Sequence, residues 1–274
     1  MSGVKPIHLF KALSEIELRM RKAERIIIFT DYDGTLIPTA ERPELAVADE
    51  ELKTLLNNLA SNPRIKIIIA SGRAIQTLKR LIPLKNVIYA GDHGINVEFP
   101  SGEVFTWRKA KLVNPLVEEI YRELSEFFKN ERGVIIEKKN SNLSVHYRLL
   151  TDFNKIRETV QATYLIVEKC DKNNLLQVFT GSKIVEIRAK GWDKGKVVEI
   201  AGRKLKITSR DLVFFIGDDV TDEDGFRKIK PTGVSVIVKN GCERETVAEY
   251  FLNDPFELRF FLHNLPLKLV NSNI

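Results

Sequence analysis

Residues 26–35 read Ile-Ile-Ile-Phe-Thr-Asp-Tyr-Asp-Gly-Thr, and this stretch decides the fold class of the chain. It begins with four apolar residues, which is typical of a strand buried on both faces of a parallel sheet. Asp31 and Asp33 follow where the strand ends. On extended backbone they point to the same side, where they repel each other unless they share a cation or one is protonated. The stretch therefore predicts an α/β sheet with an acidic site at its carboxyl edge.

Apolar strands and amphipathic helices alternate on the carboxyl side of this stretch. The first group comprises a helix around 52–59, a strand at 65–70, a helix around 75–82 and a strand at 87–90. The alternation resumes after Gly191 with a helix at 194–201, a strand at 212–216, a helix at 222–228, a strand at 234–238 and a helix at 255–265. This order predicts a Rossmann-like, doubly wound parallel sheet.

The pattern changes between these two groups. A hairpin is predicted at 95–107, followed by a helix that opens at Asn114 with Pro115 in its first position, as helix starts favour. Two strands at 134–138 and 143–149, a helix at 152–168 and a hairpin at 176–188 around Gly181-Ser182 complete the segment. The order α-β-β-α-β-β indicates an α+β domain of residues 108–190, inserted into a core of residues 1–107 and 191–274.

Length and composition limit the class of protein. A chain of 274 residues can form one large or two modest domains without disulfide or metal support. The 43% hydrophobic and 29% charged residues exclude a disordered, collagen-like or membrane protein. The net charge of +6 is compatible with an anionic substrate or a nucleic acid. Because the two signs are interspersed and no basic stripe with interleaved aromatic residues occurs, a mixed solvated surface is favoured.

The cysteines and the termini suggest a location. Cys170 and Cys242 form no C-x-x-C motif, and neither has an arginine six positions on, as a cysteine-dependent phosphatase loop needs. The first ten residues do not read as a secretory signal, and no apolar run is long enough to span a bilayer. We therefore expect a cytoplasmic protein with reduced cysteines.

Three more polar clusters lie at predicted carboxyl ends of strands or at helix starts, where α/β sheets bind ligands. Ser71-Gly72-Arg73 offers a hydroxyl and backbone amides to an anion, although an ordinary helix cap has the same composition. Lys194 opens a helix, where the dipole disfavours a cation unless an anion or solvent compensates it. The glycine-lysine spacing around it does not match a P-loop. Residues 218–224 hold five acids, more than helix capping requires.

Together the four clusters resemble the haloacid dehalogenase superfamily, and the string Gly-Asp-Asp-Val-Thr-Asp-Glu-Asp at 217–224 resembles the trehalose-6-phosphate phosphatase family. Residues 90–94, 146–148 and 185–188 are similar to three other segments of that family. The resemblance covers residues 26–264 and implies a C2-type cap at the position of the inserted domain. Two residues depart from the family pattern: Gly225, where alanine is usual, and Asp193, where asparagine is frequent.

The resemblance implies Mg²⁺-dependent hydrolysis of trehalose 6-phosphate through an aspartyl-phosphate intermediate. Asp31 is the implied nucleophile, and the Asp33 side chain is the implied general acid and base. The implied Mg²⁺ ligands are Asp31, the backbone carbonyl of Asp33, and Asp218.

The other acidic and basic residues of the four clusters receive supporting roles. Ser71 and Lys194 are implied to bind the phosphoryl oxygens. Asp222 is implied to orient Lys194 or the metal-bound waters. For Asp219 and Asp224 we expect a role at the helix start.

The inserted domain is expected to cover the site and to hold the sugar. We predict substrate contacts from eight residues of the two domains: Gly72, Arg73, His93, Lys138, His146, Arg148, Glu186 and Arg188. A period of two places His146 with Arg148, and Glu186 with Arg188, on shared strand faces. Cross-strand pairing on a solvated sheet is the alternative interpretation of these charges. For the two tryptophans near the predicted domain boundaries we expect core or hinge packing.

Other functions stay open at this point. The same chemistry would serve another glycoside phosphate, such as mannosyl-3-phosphoglycerate or glucosylglycerol phosphate. A non-catalytic sugar-phosphate-binding subunit of a trehalose-synthesising complex is a second alternative, and the intact reactive residues argue against it. A nucleic-acid or membrane partner is not expected, whereas association with a trehalose-6-phosphate synthase is compatible with the resemblance.

Overall fold

The computed structural model describes residues 5–40, 43–138, 141–181, 183–230 and 232–270, with the side chains of residues 43 and 266–270 outside the description. The chain forms two compact units, Met1–Phe105 with Asp193–Ile274 and Thr106–Trp192. The helices and strands, in chain order, are β1 (Ile7–His8), α1 (Leu13–Lys22), β2 (Ile26–Thr30), α2 (Glu50–Ser61), β3 (Ile65–Ala70), α3 (Ile75–Leu81), β4 (Ile88–Gly91), β5 (Asn96–Glu98), β6 (Val104–Thr106), α4 (Ala110–Phe127), β7 (Ile135–Lys138), β8 (Leu143–His146), α5 (Phe153–Cys170), β9 (Leu176–Gly181), β10 (Ile184–Ala189), α6 (Lys194–Leu205), β11 (Leu212–Gly217), α7 (Glu223–Ile229), β12 (Val234–Val238), β13 (Tyr250–Leu252) and α8 (Pro255–Val270).

The larger sheet has, within the described residues, nine strands in the order β1-β13-β12-β11-β2-β3-β4-β5-β6. Neighbouring strands from β1 to β4 in that order are parallel. Only the hairpin at one edge departs, since β5 is antiparallel to β4. Every residue of β2 is buried, as its continuous apolar run requires. The predicted α/β class with a large parallel sheet is confirmed.

Alternate residues of the central strands enter two separate hydrophobic cores, one on each side of this sheet. Ile28 and Phe214 belong to the core that also holds buried residues of α1, α2, α3 and α8. Their neighbours Ile27 and Phe215 belong to the other core, with buried residues of α6 and α7. Burying a large apolar side chain stabilises the fold by about 1.5–3 kcal/mol. The two cores fix the strands in one register and bring their carboxyl ends to one edge.

Two short strands were not predicted from the sequence. β1 has two residues and β13 has three, too few to show a period of two. They pair in parallel with each other, and β13 pairs with β12, so backbone hydrogen bonding extends the sheet at this edge. No helix among the residues that the structure describes has the length and apolar composition needed to cross a membrane.

The second unit combines α4 and α5 with an antiparallel sheet of order β7-β8-β10-β9. The element order matches the predicted α-β-β-α-β-β. The unit begins two residues before and ends two residues after the predicted range of 108–190. Near its two ends, the rings of Trp107 and Trp192 pack with their centroids 4.8 Å apart.

The predicted start of α4 is wrong. The helix begins at Ala110, so Pro115 lies inside it rather than at its first position. Buried Ala110 and Val113 extend the apolar face by one turn before the proline, and this packing outweighs the single amide hydrogen bond that the proline removes. Asn114 does not cap the helix, because its Oδ1 accepts a hydrogen bond from Ser141 Oγ at 2.6 Å.

The predicted end of β8 is also wrong. The strand ends at His146 rather than at Leu149. The Tyr147 amide donates to the Lys183 carbonyl at 3.0 Å, and the Leu150 amide donates to the Tyr147 carbonyl at 3.1 Å. The second bond closes a turn, so the alternation of the strand does not continue. In the predicted Gly181-Ser182 hairpin turn, residue 182 lies outside the described residues.

Candidate active site

Polar side chains meet at the carboxyl edge of the larger sheet. Asp31 follows β2, Ser71 follows β3, Asp218 follows β11, and Lys194 opens α6. Asp31, Lys194 and Asp222 are buried, with exposed fractions of 7%, 2% and 0%. Parallel strands end at the same edge, so residues far apart in the sequence come together there.

The ammonium group of Lys194 joins two buried carboxylates. Its Nζ lies 3.0 Å from Asp31 Oδ1 and donates to Asp222 Oδ1 at 2.7 Å. The preceding residue, Asp193, caps α6 by accepting a hydrogen bond from the Lys196 amide at 3.2 Å. An asparagine could make the same cap, so this departure from the expected pattern leaves the position of Lys194 unchanged.

Both oxygens of Asp222 have partners. Oδ1 accepts from Lys194, and Oδ2 accepts from the backbone amides of Asp218 and Asp219 at 3.2 and 3.1 Å. Asp219 in turn caps the short 3₁₀ helix Val220–Asp222, which is the helix-start role expected for it. Asp222 is therefore arranged to hold Lys194 and the loop after β11, rather than to bind a further cation.

Asp218 lies directly against the loop that carries Asp31. Its Oδ1 accepts a hydrogen bond from Thr35 Oγ1 at 2.8 Å. Gly34 has φ +76°, and a Cβ atom there would lie 2.1 Å from Asp218 Oδ2. Only glycine combines this left-handed conformation with so close an approach. The two acidic motifs thus fit together as one site, which neither motif forms by itself.

The site holds more negative charge than Lys194 balances. One carboxylate oxygen from each of Asp31, Asp218 and Asp222 lies within 4.8 Å of the others. Burial, opposed by Lys194, raises the pKa of Asp31 to about 7, and burial with the charge of Asp31 raises the pKa of Asp218 to about 8. For Lys194 the two carboxylates outweigh burial, so its pKa is raised. Clustered carboxylate oxygens with excess negative charge suit a hard divalent cation, so Asp31 and Asp218, whose oxygens are not both occupied as those of Asp222 are, fit a metal site.

Asp33 has a cationic partner of its own. Arg73 donates from Nε to Asp33 Oδ2 and from Nη2 to Asp33 Oδ1, each at 2.6 Å. This pairing is the main reason that the pKa of Arg73 is raised. The Asp33 side chain is 31% exposed, whereas that of Asp31 is 9% exposed. The two aspartates therefore occupy different environments, one closed around Lys194 and one open to solvent.

Ser71 and Gly72 lie beside His93. Ser71 is buried, and its Oγ accepts a hydrogen bond from the Arg73 amide at 3.2 Å. The His93 amide donates to the Ser71 carbonyl at 2.8 Å, and a Cβ at Gly72 would lie 2.7 Å from His93 Nε2. His93 has φ +55°, in the left-handed region that few non-glycine residues adopt. The structure thus brings the predicted Ser71, Gly72, Arg73 and His93 together.

Three predicted substrate residues of the second unit share one face of its sheet. Glu186 and Arg188 form an ion pair, and His146 Nε2 lies 3.3 Å from Glu137 Oε2. The register pairs Val185 with Val145 on the opposite, buried face. These charged residues share this face with the apolar Ile135, Phe179 and Ile184. We call it the polar face, because its charged groups can hydrogen-bond to a sugar.

Lys138 and Arg148 are placed differently from the prediction. Lys138 pairs with Glu118 of α4, and its ammonium lies 4.9 Å from the centroid of the Tyr121 ring. Lys138 is adjacent to Glu137 in β7, so its side chain lies on the opposite side of the sheet from the polar face, the side covered by the helices. Arg148 is exposed in the turn after β8, so it does not continue the alternation from His146.

Asn240 and Arg244 contact the acidic loops and were not predicted as site residues. Asn240 Nδ2 donates to the Gly34 carbonyl at 2.7 Å, and Arg244 Nε donates to the Asp218 carbonyl at 3.2 Å. Both residues follow β12 at the same edge of the sheet. The criterion that located the other clusters, polar residues beyond the carboxyl end of a strand, would have located them as well.

The second departure from the expected pattern, Gly225, lies in the core. A Cβ atom there would lie 2.2 Å from Phe215 Cζ. The Phe215 ring stacks on Phe29, with the centroids 5.9 Å apart. The large aromatic residue in β11 thus fills the space that an alanine at position 225 would need. The glycine reflects local packing and does not change the reactive groups.

Comparison with known proteins agrees with this geometry. Residues 29–256 match the family model described as trehalose-phosphatase. Trehalose 6-phosphate phosphatase RA3 of Zea mays is 31% identical over 277 aligned residues, which cover 94% of this chain and 74% of the relative. A solved structure titled as a trehalose-6-phosphate phosphatase related protein has a TM-score of 0.69 at 25% identity and covers 90% of this chain and 100% of that chain. The C-terminal domain of the C. albicans trehalose-6-phosphate phosphatase shares the fold, with a TM-score of 0.77 at 23% identity over 98% of this chain and 99% of its own. This chain belongs to the trehalose-phosphatase family.

Proposed function

We propose that this enzyme hydrolyses trehalose 6-phosphate to trehalose and phosphate in a Mg²⁺-dependent reaction. The observation that carries the proposal is the buried arrangement of Asp31 beside Lys194 and Asp218, at the edge where the family's reactive residues are expected. Family membership and relatives named for this activity support the choice of substrate.

Asp31 is the proposed nucleophile. Its carboxylate oxygen attacks phosphorus, the bond from phosphorus to the sugar oxygen breaks, and an aspartyl phosphate forms. A carboxylate attacks an anionic phosphoryl group only where surrounding positive charge offsets the repulsion. Lys194 supplies one such charge, since its Nζ is 3.0 Å from Asp31 Oδ1. Ser71 supplies a hydroxyl donor for the same phosphoryl oxygens.

The proposed Mg²⁺ ligands are Asp31, the backbone carbonyl of Asp33, and Asp218, whose oxygens suit a hard cation. When bound, Mg²⁺ supplies further charge neutralisation to the transferring phosphoryl group. Asp222 stays outside this set, because its two oxygens already accept from Lys194 and from backbone amides. It holds Lys194 in place during the reaction.

Asp33 is the proposed general acid and base. Its protonated carboxyl gives a proton to the leaving sugar oxygen, and the resulting carboxylate removes a proton from the water that attacks the aspartyl phosphate. This second step releases phosphate and regenerates Asp31. The partly exposed position of Asp33 supports exchange of protons with solvent, and its pair with Arg73 must open before it donates a proton, because a guanidinium bound to both oxygens favours the ionised carboxylate.

The trehalose moiety is proposed to be recognised by His146, Arg148, Glu186 and Arg188 of the second unit and by His93 of the first. Sugar hydroxyls need charged and amide partners, and the polar face of the second sheet, with Arg148 in the turn after β8, supplies them. Lys138 is not proposed as a sugar ligand, since its ammonium pairs with Glu118 on the other side of the sheet.

The experiment that tests the function measures phosphate release by the purified protein with Mg²⁺. We expect the highest kcat/KM for trehalose 6-phosphate, with lower values for mannosyl-3-phosphoglycerate and glucosylglycerol phosphate. Asp31→Asn should release no phosphate, whereas the matched control Asp219→Asn, which preserves the helix cap, should stay active. A higher kcat/KM for either rival compound would overturn the substrate assignment.

The cellular setting is a separate part of the proposal. We propose a cytoplasmic enzyme, which the two free cysteines, Cys170 and Cys242, support. Association with a trehalose-6-phosphate synthase stays a prediction of the family resemblance. Co-purification of the tagged enzyme with a synthase from its own cells would test it.

A further inference from the structure

The loop between β12 and β13 contacts both acidic loops of the site, although it contributes no residue to the proposed reaction. We propose that Arg244 in this loop is a positioning residue for the metal site, and that it acts by holding the backbone on which Asp218 stands. The inference rests on the proposed role of Asp218 as a metal ligand.

Arg244 binds the loop after β11 from several directions. Its Nε donates to the Asp218 carbonyl at 3.2 Å, and its Nη2 donates to the Asp219 carbonyl at 2.9 Å. Nη1 donates to Glu223 Oε1 at 2.6 Å and to the Glu245 carbonyl at 3.0 Å. A planar guanidinium with several donors can hold consecutive carbonyls in one geometry, which a single ammonium cannot do. Arg244 therefore holds the two carbonyls of this backbone, while Asp222 holds its two amides.

Glu223 completes the connection. Its side chain is 8% exposed, whereas that of Arg244 is 23% exposed. Its second oxygen, Oε2, accepts a hydrogen bond from the Val247 amide at 2.9 Å. Glu223, the first residue of α7, thus binds both the Arg244 side chain and the backbone of the loop that carries Arg244. Buried charges are stable when each is paired and hydrogen-bonded, and this pair meets that condition.

The same loop also holds the neighbouring acidic motif. Asn240 Nδ2 donates to the Gly34 carbonyl at 2.7 Å, and Gly34 packs against Asp218. One loop therefore contacts the backbone beside Asp31 and Asp33 and the backbone beside Asp218. It sets the spacing between the two loops that supply the proposed metal ligands.

The consequence for metal binding follows from the geometry that Mg²⁺ requires. Mg²⁺ needs near-octahedral coordination with ligands at about 2.0–2.1 Å, so a small displacement of one carboxylate weakens binding. Groups that orient metal ligands typically change metal affinity by about 10–100-fold when they are removed. A purely electrostatic effect predicts the opposite change in metal affinity, because removing the positive charge of Arg244 near an acidic site should tighten metal binding. The direction of the change therefore distinguishes positioning from a purely electrostatic effect.

The test measures metal binding directly, without substrate. Full-length protein is stripped of metal and titrated with Mn²⁺, with free Mn²⁺ followed by electron paramagnetic resonance, and with Mg²⁺ by calorimetry. We expect Arg244→Met to raise both dissociation constants about tenfold or more. Arg244→Lys, which keeps the charge but loses the fork of donors, should fall between Arg244→Met and the native chain. The matched control is Arg227→Met, since Arg227 is an exposed arginine of α7 that pairs only locally with Asp224.

Two further variants keep the result decisive. If Arg244→Met does not fold, as judged by circular dichroism, Arg244→Lys carries the test, because it keeps the charge and weaker Mn²⁺ binding in it cannot be electrostatic. Asp218→Asn is the reference for loss of the metal ligand itself. Binding as tight as native or tighter in the folded Arg244 variants, with binding lost in Asp218→Asn, would overturn the positioning role and leave the metal site standing. Native binding in Asp218→Asn would overturn both.

Discussion

The acidic site of the first unit and the polar face of the second unit use charged residues in opposite ways. In the first unit, Lys194 is 2% exposed and lies between the carboxylates of Asp31 and Asp222. In the second unit, Arg188 and Glu186 pair with each other at 15% and 25% exposure. The buried charges depend on one another for stability and are arranged for a single reaction. In the proposed function, the more exposed pairs exchange partners when a sugar binds, and this region contributes to substrate choice.

Different energetic consequences follow for the two regions. Removing one member of a buried ion pair leaves an uncompensated charge and costs about 3–5 kcal/mol, whereas an exposed pair contributes about 0–1 kcal/mol. Substitutions in the first region should therefore change kcat and stability. Substitutions in the second region should change KM while leaving the fold unaffected.

The largest effect is expected for Asp31→Asn. The substitution removes the proposed nucleophile and keeps the shape of the side chain, so turnover should fall by roughly 10⁴-fold or more with the fold intact. Phosphate release and circular dichroism measure the two parts of this expectation. Substantial activity in this variant would show that Asp31 is not the nucleophile. The contrast between a reactive first region and a substrate-binding second region would then fail.

Lys194→Met should affect both reaction and stability. Loss of a preorganised donor to the phosphoryl oxygens should lower kcat by about 10²–10³-fold. Asp31 and Asp222 then lose their shared cation, which should lower the free energy of unfolding by about 3–5 kcal/mol. Steady-state kinetics and urea unfolding give the two values. A variant with lowered kcat but native stability would show that the buried charges tolerate separation.

Arg148→Ala should affect substrate binding by the second unit, in which Arg148 lies in the turn beside the polar face. Loss of a charged hydrogen-bond donor to the sugar should raise KM roughly tenfold, with a smaller change in kcat. Lys138→Ala is the matched control from the same unit, because Lys138 pairs with Glu118 on the helix-covered side. An unchanged KM in Arg148→Ala, or an equal rise in Lys138→Ala, would contradict the sugar-binding role of Arg148.

Metal removal should abolish the proposed Mg²⁺-dependent reaction, and its effect on stability, seen as a change in Tm, should be smaller than that of Lys194→Met. In metal-free protein the pKa of Asp31 and of Asp218 is raised to about 7 and about 8, against 3.8 as the ordinary value. The folded state then binds protons more tightly than the unfolded chain, so metal-free stability should fall as the pH rises from about 4 to about 8. Mg²⁺ at about 100 times its dissociation constant should restore about 2.7 kcal/mol.

That stabilisation corresponds to a rise in Tm of roughly 5–10 °C for a chain of this size. Differential scanning fluorimetry at pH 6 and pH 8.5, with and without Mg²⁺, measures it. The rise should be larger at pH 8.5, since fewer protons compete for the carboxylates there. The control is Asp218→Asn, which should show no rise. A rise of equal size at both pH values would indicate that Mg²⁺ binds elsewhere.

Much of the core could be predicted because its signals are local. A strand buried on both faces is apolar along most of its length, so the exact bounds of the strands 65–70 and 234–238 could be predicted from the sequence, although Lys66 and Ser235 interrupt the apolar runs. The short strands β1 and β13 gave no such signal, since pairing alone makes them strands. The start of α4 was misplaced because a local preference of proline was weighed above the apolar face that surrounds Pro115.

The residue types of the site could be predicted for a related reason. Reactive carboxylates, the lysine and the serine lie directly after strands or at a helix start, and their positions along the chain place them at one edge. The partners of these residues could not be predicted. Nothing local in the sequence pairs Arg73 with Asp33, or Arg244 with the carbonyl of Asp218, because each pair joins loops that meet only when the sheet is assembled.

By itself, the sequence determined the alternating strands and helices, the inserted segment and the identities of the reactive groups, since these depend on periodicity and on side-chain chemistry. Only the tertiary structure decided which charges neutralise one another. In the folded chain Lys194 lies between two carboxylates, and Asp33 forms an ion pair with Arg73. Lys138 pairs with Glu118 of α4, whereas His146 lies on the polar face. Electrostatic interactions depend on distance and burial rather than on order along the chain, so these assignments exist only in the folded protein.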